Sequence, residues 1–271
     1  MACRVELLCI GNEILIGKTL NTNAHWLCQK VTGLGADVRR VTVVEDDVEA
    51  IGSALHEILG RRPELVLTTG GLGPTFDDKT LQAFSKAFNR PLRLNRHALK
   101  LVRSRYRRIL GVKNPILSPP QLKMAKLPSG AKAISNPVGT APAVTLVEGK
   151  VKFIILPGVP EELQSIFKRS VSAEIRKMVG RRFFYEASYL ISGILESQVA
   201  PIIDQVMDRS MNVYVKSHVR VGEGRKCSSI ELHFSSRAGY SRRAKYNVLR
   251  AIEMTTELLG ELVFTRPCSR D

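Results

Sequence analysis

The sequence predicts an α/β domain built on a mostly parallel sheet over residues 1–178, followed by a small α+β domain over residues 179–271. Three observations lead there. Short apolar runs alternate with amphipathic helical patterns through the first part of the chain. A glycine-rich turn directly follows one of those runs. From Arg181 onward the order changes to strand, helix, two strands and helix.

Arg4 to Ile10 is an apolar run ending at Gly11 and reads as a buried strand. Gly11 to Thr19, GNEILIGKT, approaches a P-loop but puts five residues between Gly11 and Gly17, where the loop requires four. Its bulky apolar triplet also replaces the amides that would aim at one phosphate, so an NTPase is not expected. Glu13, Asn21 and Asn23 stand between that strand and a helix through Trp26, Leu27 and Val31, which Asn21 can also cap. Gly33 and Gly35 end the helix, and Asp37 to Val44 is a second strand. Glu45, Asp46 and Asp47 follow it, before a helical pattern through Ile51, Leu55, Ile58 and Leu59.

The run Leu65 to Leu67 leads into GGLGPTFDDKT, Gly70 to Thr80. Glycines and a proline forbid regular structure there, and bare amides at a helix start attract anions. Gly70, Gly71, Gly73, Pro74, Thr75 and Thr80 are the candidate phosphate turn. Asp77 and Asp78 would repel a phosphate unless a cation lies between them, and Mg²⁺ binds through one or two carboxylates plus phosphate oxygens. They are therefore the candidate metal ligands, although acidic residues in a first helical turn also suit the dipole. In a parallel sheet all carboxyl ends share one edge, so the Glu13, Asp46 and Gly70 loops should converge over one crevice.

Leu81, Phe84 and Phe88 make the next helical stripe, and a second helix runs through Leu99, Val102, Tyr106 and Ile109 with a basic ridge of Arg96, Lys100, Arg103 and Arg107. Such a ridge reads first as solvated surface. Pro115, Pro119 and Pro120 break the pattern, and NPVGTAPA, Asn136 to Ala143, is a loop. Two short strands at Val144 to Val147 and Val151 to Leu156 precede a rigid turn at Pro157 to Pro160 and a helix through Leu163, Ile166 and Phe167. The second part reads as strands at Phe183 to Ile191, Asn212 to Lys216 and Ser228 to Phe234, with helices from Glu196 to Met207 and from about Tyr240 to Leu259. A KH-type RNA clamp needs Gly-x-x-Gly, whereas the nearest glycines are Gly222 and Gly224, one residue apart.

The net charge of +16 favours acidic partners without choosing among them. Nucleic acid is not expected, because neither the KH clamp nor an aromatic-rich RRM strand is present. No apolar run approaches a membrane span and MACRVELLCI does not read as a signal peptide, so the cytoplasm is the expected location. Five cysteines without a Cys-x-x-Cys pair read as reduced thiols, and the scattered histidines give no zinc spacing.

GGLGPTFDDKT, GNEILIGKTLNTNAHWL, NPVGTAPA and LPGVPEE, in that order over about residues 4 to 175, resemble the amino-terminal domain of the CinA proteins, of the molybdopterin-binding fold group shared with MogA, MoaB, MoeA and gephyrin. ESQVAPII and VYVKSH are similar to the small KH-like domain that follows in CinA proteins. The resemblance implies a three-layer α/β/α domain with its site at the carboxyl edge of the sheet, and a dimer. It implies Asp78 after the glycine turn and Asp46 or Asp47 after the second strand as functional carboxylates, with Asn136, Gly139 and Thr140 lining the same crevice. The activity it implies is metal-dependent hydrolysis of a nucleoside diphosphate-linked molecule such as ADP-ribose or FAD, with Mg²⁺, Mn²⁺ or Co²⁺ as cofactor. In that reading Asp78, Asp77 and Asp46 are catalytic. The alternative is a molybdopterin or nucleotide binder without chemistry of its own. Where the family has Ala-Pro-Gly this chain has Ala141, Pro142 and Ala143, and the activity of the family's carboxyl-terminal deamidase domain is not expected of these 271 residues.

Overall fold

A computed structural model describes residues 3–210, 212–220, 229–260 and 264–267. It divides into two compact units, with the change from the first to the second at Val179 and Gly180.

The first unit opens with β1 (Arg4–Ile10), a single turn α1 (Asn12–Leu15), α2 (Thr22–Gly33), β2 (Asp37–Val44), α3 (Val48–Arg61) and β3 (Leu65–Thr69). Then come α4 (Thr80–Ala87), β4 (Leu92–Leu94), α5 (Arg96–Leu110), α6 (Pro119–Lys123), β5 (Lys126–Pro128), β6 (Lys132–Ile134), β7 (Ala143–Glu148) and β8 (Val151–Leu156). It ends with α7 (Pro160–Ile166), a π-helical turn at Phe167–Val171 and α8 (Ser172–Val179).

The six-stranded sheet has the order β2-β1-β3-β8-β7-β6. β1, β2, β3 and β8 run parallel, and β7 is antiparallel to both of its neighbours. The two strands expected at 144–147 and 151–156 are thus a hairpin, because the tight turn between them leaves no room for a crossover. β2 and β3 lie on opposite sides of β1. The chain passes from β1 to β2 on one side and then crosses back through α3 to β3 on the other, which opens a crevice at the carboxyl ends of β1 and β3.

Near-continuous burial along β1, β3 and β8 marks a sheet covered on both faces. Leu8, Ile10, Val66, Phe153 and Ile155 pack with Ile51, Leu55 and Phe84 of α3 and α4, where Phe84 stands edge-on to Phe153 at 5.4 Å. The alternate residues Leu7, Leu67 and Ile154 are fully buried too, as are Leu27, Val31, Leu163, Ile166 and Ile175 of α2, α7 and α8, which supply the third layer. Glu6, only 4% exposed, is held by Arg61, whose Nε and NH2 donate to it at 3.0 and 2.8 Å. On α5 the buried residues are Ala98 and Val102, while Ile109 is exposed, so the expected apolar stripe runs out before the helix does.

The second unit contains β9 (Phe183–Ser192), α9 (Glu196–Arg209), β10 (Val213–Arg220), β11 (Ser229–Ala238), α10 (Ser241–Leu259) and β12 (Phe264–Pro267). Its antiparallel sheet has the order β10-β11-β9-β12. Val199, Ile203, Val248 and Ile252 of the two helices join Ile191, Val215, Leu232 and Phe234 in one core, so both helices cover one face. The Gly222–Gly224 spacing, Ser228, Cys227 and Cys268 lie outside the described residues.

Candidate functional site

The carboxyl ends of β1, β2, β3 and β8 surround a cleft of about 390 Å³. Its floor is main chain. The Gly70 amide donates to the Leu156 carbonyl at 3.0 Å, and Gly158 packs against Gly70, where a Cβ would make an ordinary contact 3.4 Å from the Gly70 Cα. Gly70 and Gly71 have φ of 104° and 65°, which only glycine adopts without strain, and a Cβ on Gly70 would run into the Ile10 carbonyl oxygen. Thr80, fully buried, donates its hydroxyl to the Gly70 carbonyl at 2.9 Å and so fixes the turn from behind. Among the described residues the amides of Gly71, Leu72 and Gly73 donate to no protein acceptor, which leaves them for a ligand.

Gly70, Gly71, Gly73, Pro74, Asp77, Asp78, Glu13, Asn23, Asp46 and Thr140 line this cleft. The other expected residues stand behind it. Asn21 accepts from the Ala24 amide at 3.0 Å and bonds the Cys9 thiol, so it caps α2 beneath the wall. Thr75 closes its own loop: its amide and hydroxyl reach Asp78 Oδ2 at 2.8 and 2.5 Å, and the hydroxyl also contacts Asp77 Oδ1. Asn136, 8% exposed, accepts from the Gly139 amide at 2.8 Å and donates to the Ala141 carbonyl at 2.8 Å. Asn136 and Gly139 thereby shape the loop that presents Thr140.

The structure separates Asp46 from Asp47. Asp47 caps α3, accepting from the Glu49 and Ala50 amides at 2.8 and 3.1 Å, and these bonds pull its pKa below the usual carboxylate range. Asp46 lies in the cleft and accepts from the Asn12 amide at 2.8 Å. Burial pushes its pKa up, and the charges of Glu13, Asp77 and Asp78 push the same way. Asp77 has a depressed pKa, first through the Thr75 hydroxyl, then through its own backbone amide, with smaller help from the charges of Lys123 and Lys79.

Two residues at the site, one in the cleft wall and one behind it, were not anticipated. Glu162, in the first turn of α7, accepts from Asn136 Nδ2 at 2.6 Å and lies against Gly139, where any Cβ would overlap its carboxylate. The acidic pair after the LPGVP turn was its signal, at a strand end like the others. Lys123 of α6 donates to the Thr75 carbonyl, a contact no spacing announced.

The cleft therefore combines free amides with five carboxylates, those of Glu13, Asp46, Asp77, Asp78 and Glu162, and no lysine or arginine in its lining. One Thr75 hydroxyl has one proton for the two aspartates converging on it, so a strongly negative point remains there. Hard carboxylate oxygens suit Mg²⁺ or Mn²⁺. Among the described residues no three His, Cys, Asp or Glu side chains gather closely enough to hold a metal, so a cation here would complete its shell with ligand oxygens.

Comparison with known proteins agrees with this geometry. Residues 6–177 match the family model described as "Probable molybdopterin binding domain". A protein of Pyrobaculum aerophilum is 39% identical over 93% of both chains, and one of Caldivirga maquilingensis is 44% identical over 79% of this chain and 81% of its own. A solved structure described as "the protein CinA with unknown function from Thermoplasma acidophilum" is 42% identical with a TM-score of 0.59, covering 64% of this chain and 98% of that one. The glycine floor, the acidic rim and these matches lead to one assignment: the chain belongs to the probable molybdopterin binding domain family, with a CinA-like first domain.

Proposed function

We propose that the cleft binds a phosphorylated pterin or a nucleotide, with the Gly71–Gly73 amides on a phosphate and the acidic rim turned to the ligand's cationic or N–H-bearing parts. The single observation that carries this is the row of unpartnered amides at the end of β3. Carboxylates are the natural acceptors for the N–H groups of a pterin or purine edge. Native mass spectrometry of the freshly purified chain should find a retained small molecule, and calorimetry should show binding of AMP, ADP-ribose or a pterin phosphate. Failure of all three to bind would end the reading.

A second reading is a pyrophosphatase acting on ADP-ribose or FAD, favoured by the convergence of Asp77 and Asp78 on one hydroxyl. Asp78 and Asp77 would hold a divalent cation, which supplies a Lewis acid and neutralises charge between carboxylates and diphosphate when bound. The chain's own part is to place the phosphate on the glycine amides, and Asp46, whose pKa lies above the usual range, is the group suited to take a proton from water. Product release from ADP-ribose or FAD with Mg²⁺, Mn²⁺ or Co²⁺, abolished in Asp78→Asn, is the expected result. Equal turnover in that variant removes this reading and leaves the first.

A further inference from the structure

Beside the acidic cleft lies a smaller pocket of about 110 Å³ with the opposite character. One wall is the α5 stripe Leu101, Ser104, Arg105 and Arg108, at helical spacings of three, one and three, and the other is the loop around Ser135 and Thr140. Thr140 lines both cavities, so they adjoin. Among the described residues no carboxylate lines the smaller one. None is near in sequence either: the 69 residues from Lys79 to Val147 carry fourteen lysines and arginines and no acidic residue.

Arg105 is half-buried, and its NH1 and NH2 donate to the carbonyls of Pro137 and Val138. Its Nε is buried without an acceptor. Among the described residues neither Arg105 nor Arg108 is paired with a carboxylate. A part-buried guanidinium whose partners are all neutral lacks a counter-charge. The exposed ridge of Arg96, Lys100, Arg103 and Arg107 needs none, since water solvates it.

We infer that this pocket, walled by Arg105, Arg108, Ser104 and Ser135, is a subsite for a second anionic group, a phosphate monoester, on the ligand of the adjoining cleft. The inference rests on the proposed binding function of that cleft. A ligand passing over Thr140 would then meet amides and carboxylates at one end and a guanidinium fork with two hydroxyls at the other. At about 110 Å³ the pocket holds nearly four waters' worth of volume, enough for one tetrahedral anion.

The test uses the full chain and two probes, inorganic phosphate and AMP, titrated by calorimetry near physiological salt. Arg108 is exposed and, among the described residues, makes no hydrogen bond or ion pair, so Arg108→Glu should fold normally, with Arg108→Lys as the charge-preserving control. Phosphate binding should weaken by at least about tenfold in Arg108→Glu, as expected for a lost charge-assisted bond. Arg93→Glu, the same charge change at an exposed site outside the pocket, should cost less than about twofold because salt screens it. Equal losses in the two glutamate variants would mean a diffuse surface field and overturn the inference, as would phosphate binding that ignores Arg108. If phosphate follows Arg108 while AMP does not bind at all, the subsite stands and the cleft reading falls.

Discussion

Asp78 holds its own loop and, in the proposed pyrophosphatase reading, a divalent cation as well; replacing it by alanine and by asparagine distinguishes the two roles. Its Oδ2 accepts from the Thr75 amide at 2.8 Å and from the Thr75 hydroxyl at 2.5 Å, and the carboxylate lies over Gly73, where a Cβ would come within 2.6 Å of it. Bonds to a charged acceptor contribute about 1.5–3 kcal/mol each when shielded; Asp78 is half-exposed, so roughly 1–2 kcal/mol for the pair is the reasonable size. Asp78→Ala should open the Thr75–Asp78 loop by that amount, seen as about a tenfold loss of amide-exchange protection at Thr75. Asn keeps a carbonyl oxygen for the amide, so Asp78→Asn should lose no more than about 0.5–1 kcal/mol there. Both variants lose the negative charge, and Mg²⁺-dependent binding of ADP-ribose should collapse in both. The reasoning is refuted if Asp78→Asn binds ADP-ribose with Mg²⁺ as the parent does, or if Asp78→Ala leaves Thr75 fully protected.

Asp46→Asn should raise thermal stability at neutral pH. The folded carboxyl has a pKa above its unfolded value, so the wild type is handicapped once pH rises through that folded value, and the advantage of the variant should vanish below the ordinary carboxylate range. Melting curves from pH 3.5 to 7.5 check this, and an advantage that grows in acid would contradict it. Arg61→Leu should cost about 3–5 kcal/mol in urea unfolding, because it strands the buried Glu6 carboxylate. Thr80→Val, nearly isosteric, should cost about 1–3 kcal/mol by leaving the Gly70 carbonyl without its donor, and a midpoint within error of wild type would remove the clamp from the account.

Periodicity carried the long elements, because one apolar face each forced them: α3 and α4 through Ile51, Leu55 and Phe84, and β1, β3 and β8 through unbroken burial. The short pieces were not legible. β4, β5 and β6 span three residues each, too few to show alternation, and the Asn12–Leu15 turn hides in a stretch that imitates a phosphate loop. At the site, strand ends marked Glu13, Asp46 and the Gly70 turn, since topology alone brings those together. Choosing between Asp46 and Asp47 required the backbone, because adjacent aspartates differ only in which one points along the helix start. The Arg105–Arg108 stripe escaped notice because the exposed ridge beside it shares its composition and nearly its spacing.

A binding floor of bare peptide has an evolutionary corollary. Gly70 and Gly71 admit almost no substitution, so any change of preferred ligand has to be written into the surrounding rim, at positions such as Glu13, Asp46, Thr140 and Glu162. Relatives that keep the glycines and vary the rim should accept different guests on one unchanging platform.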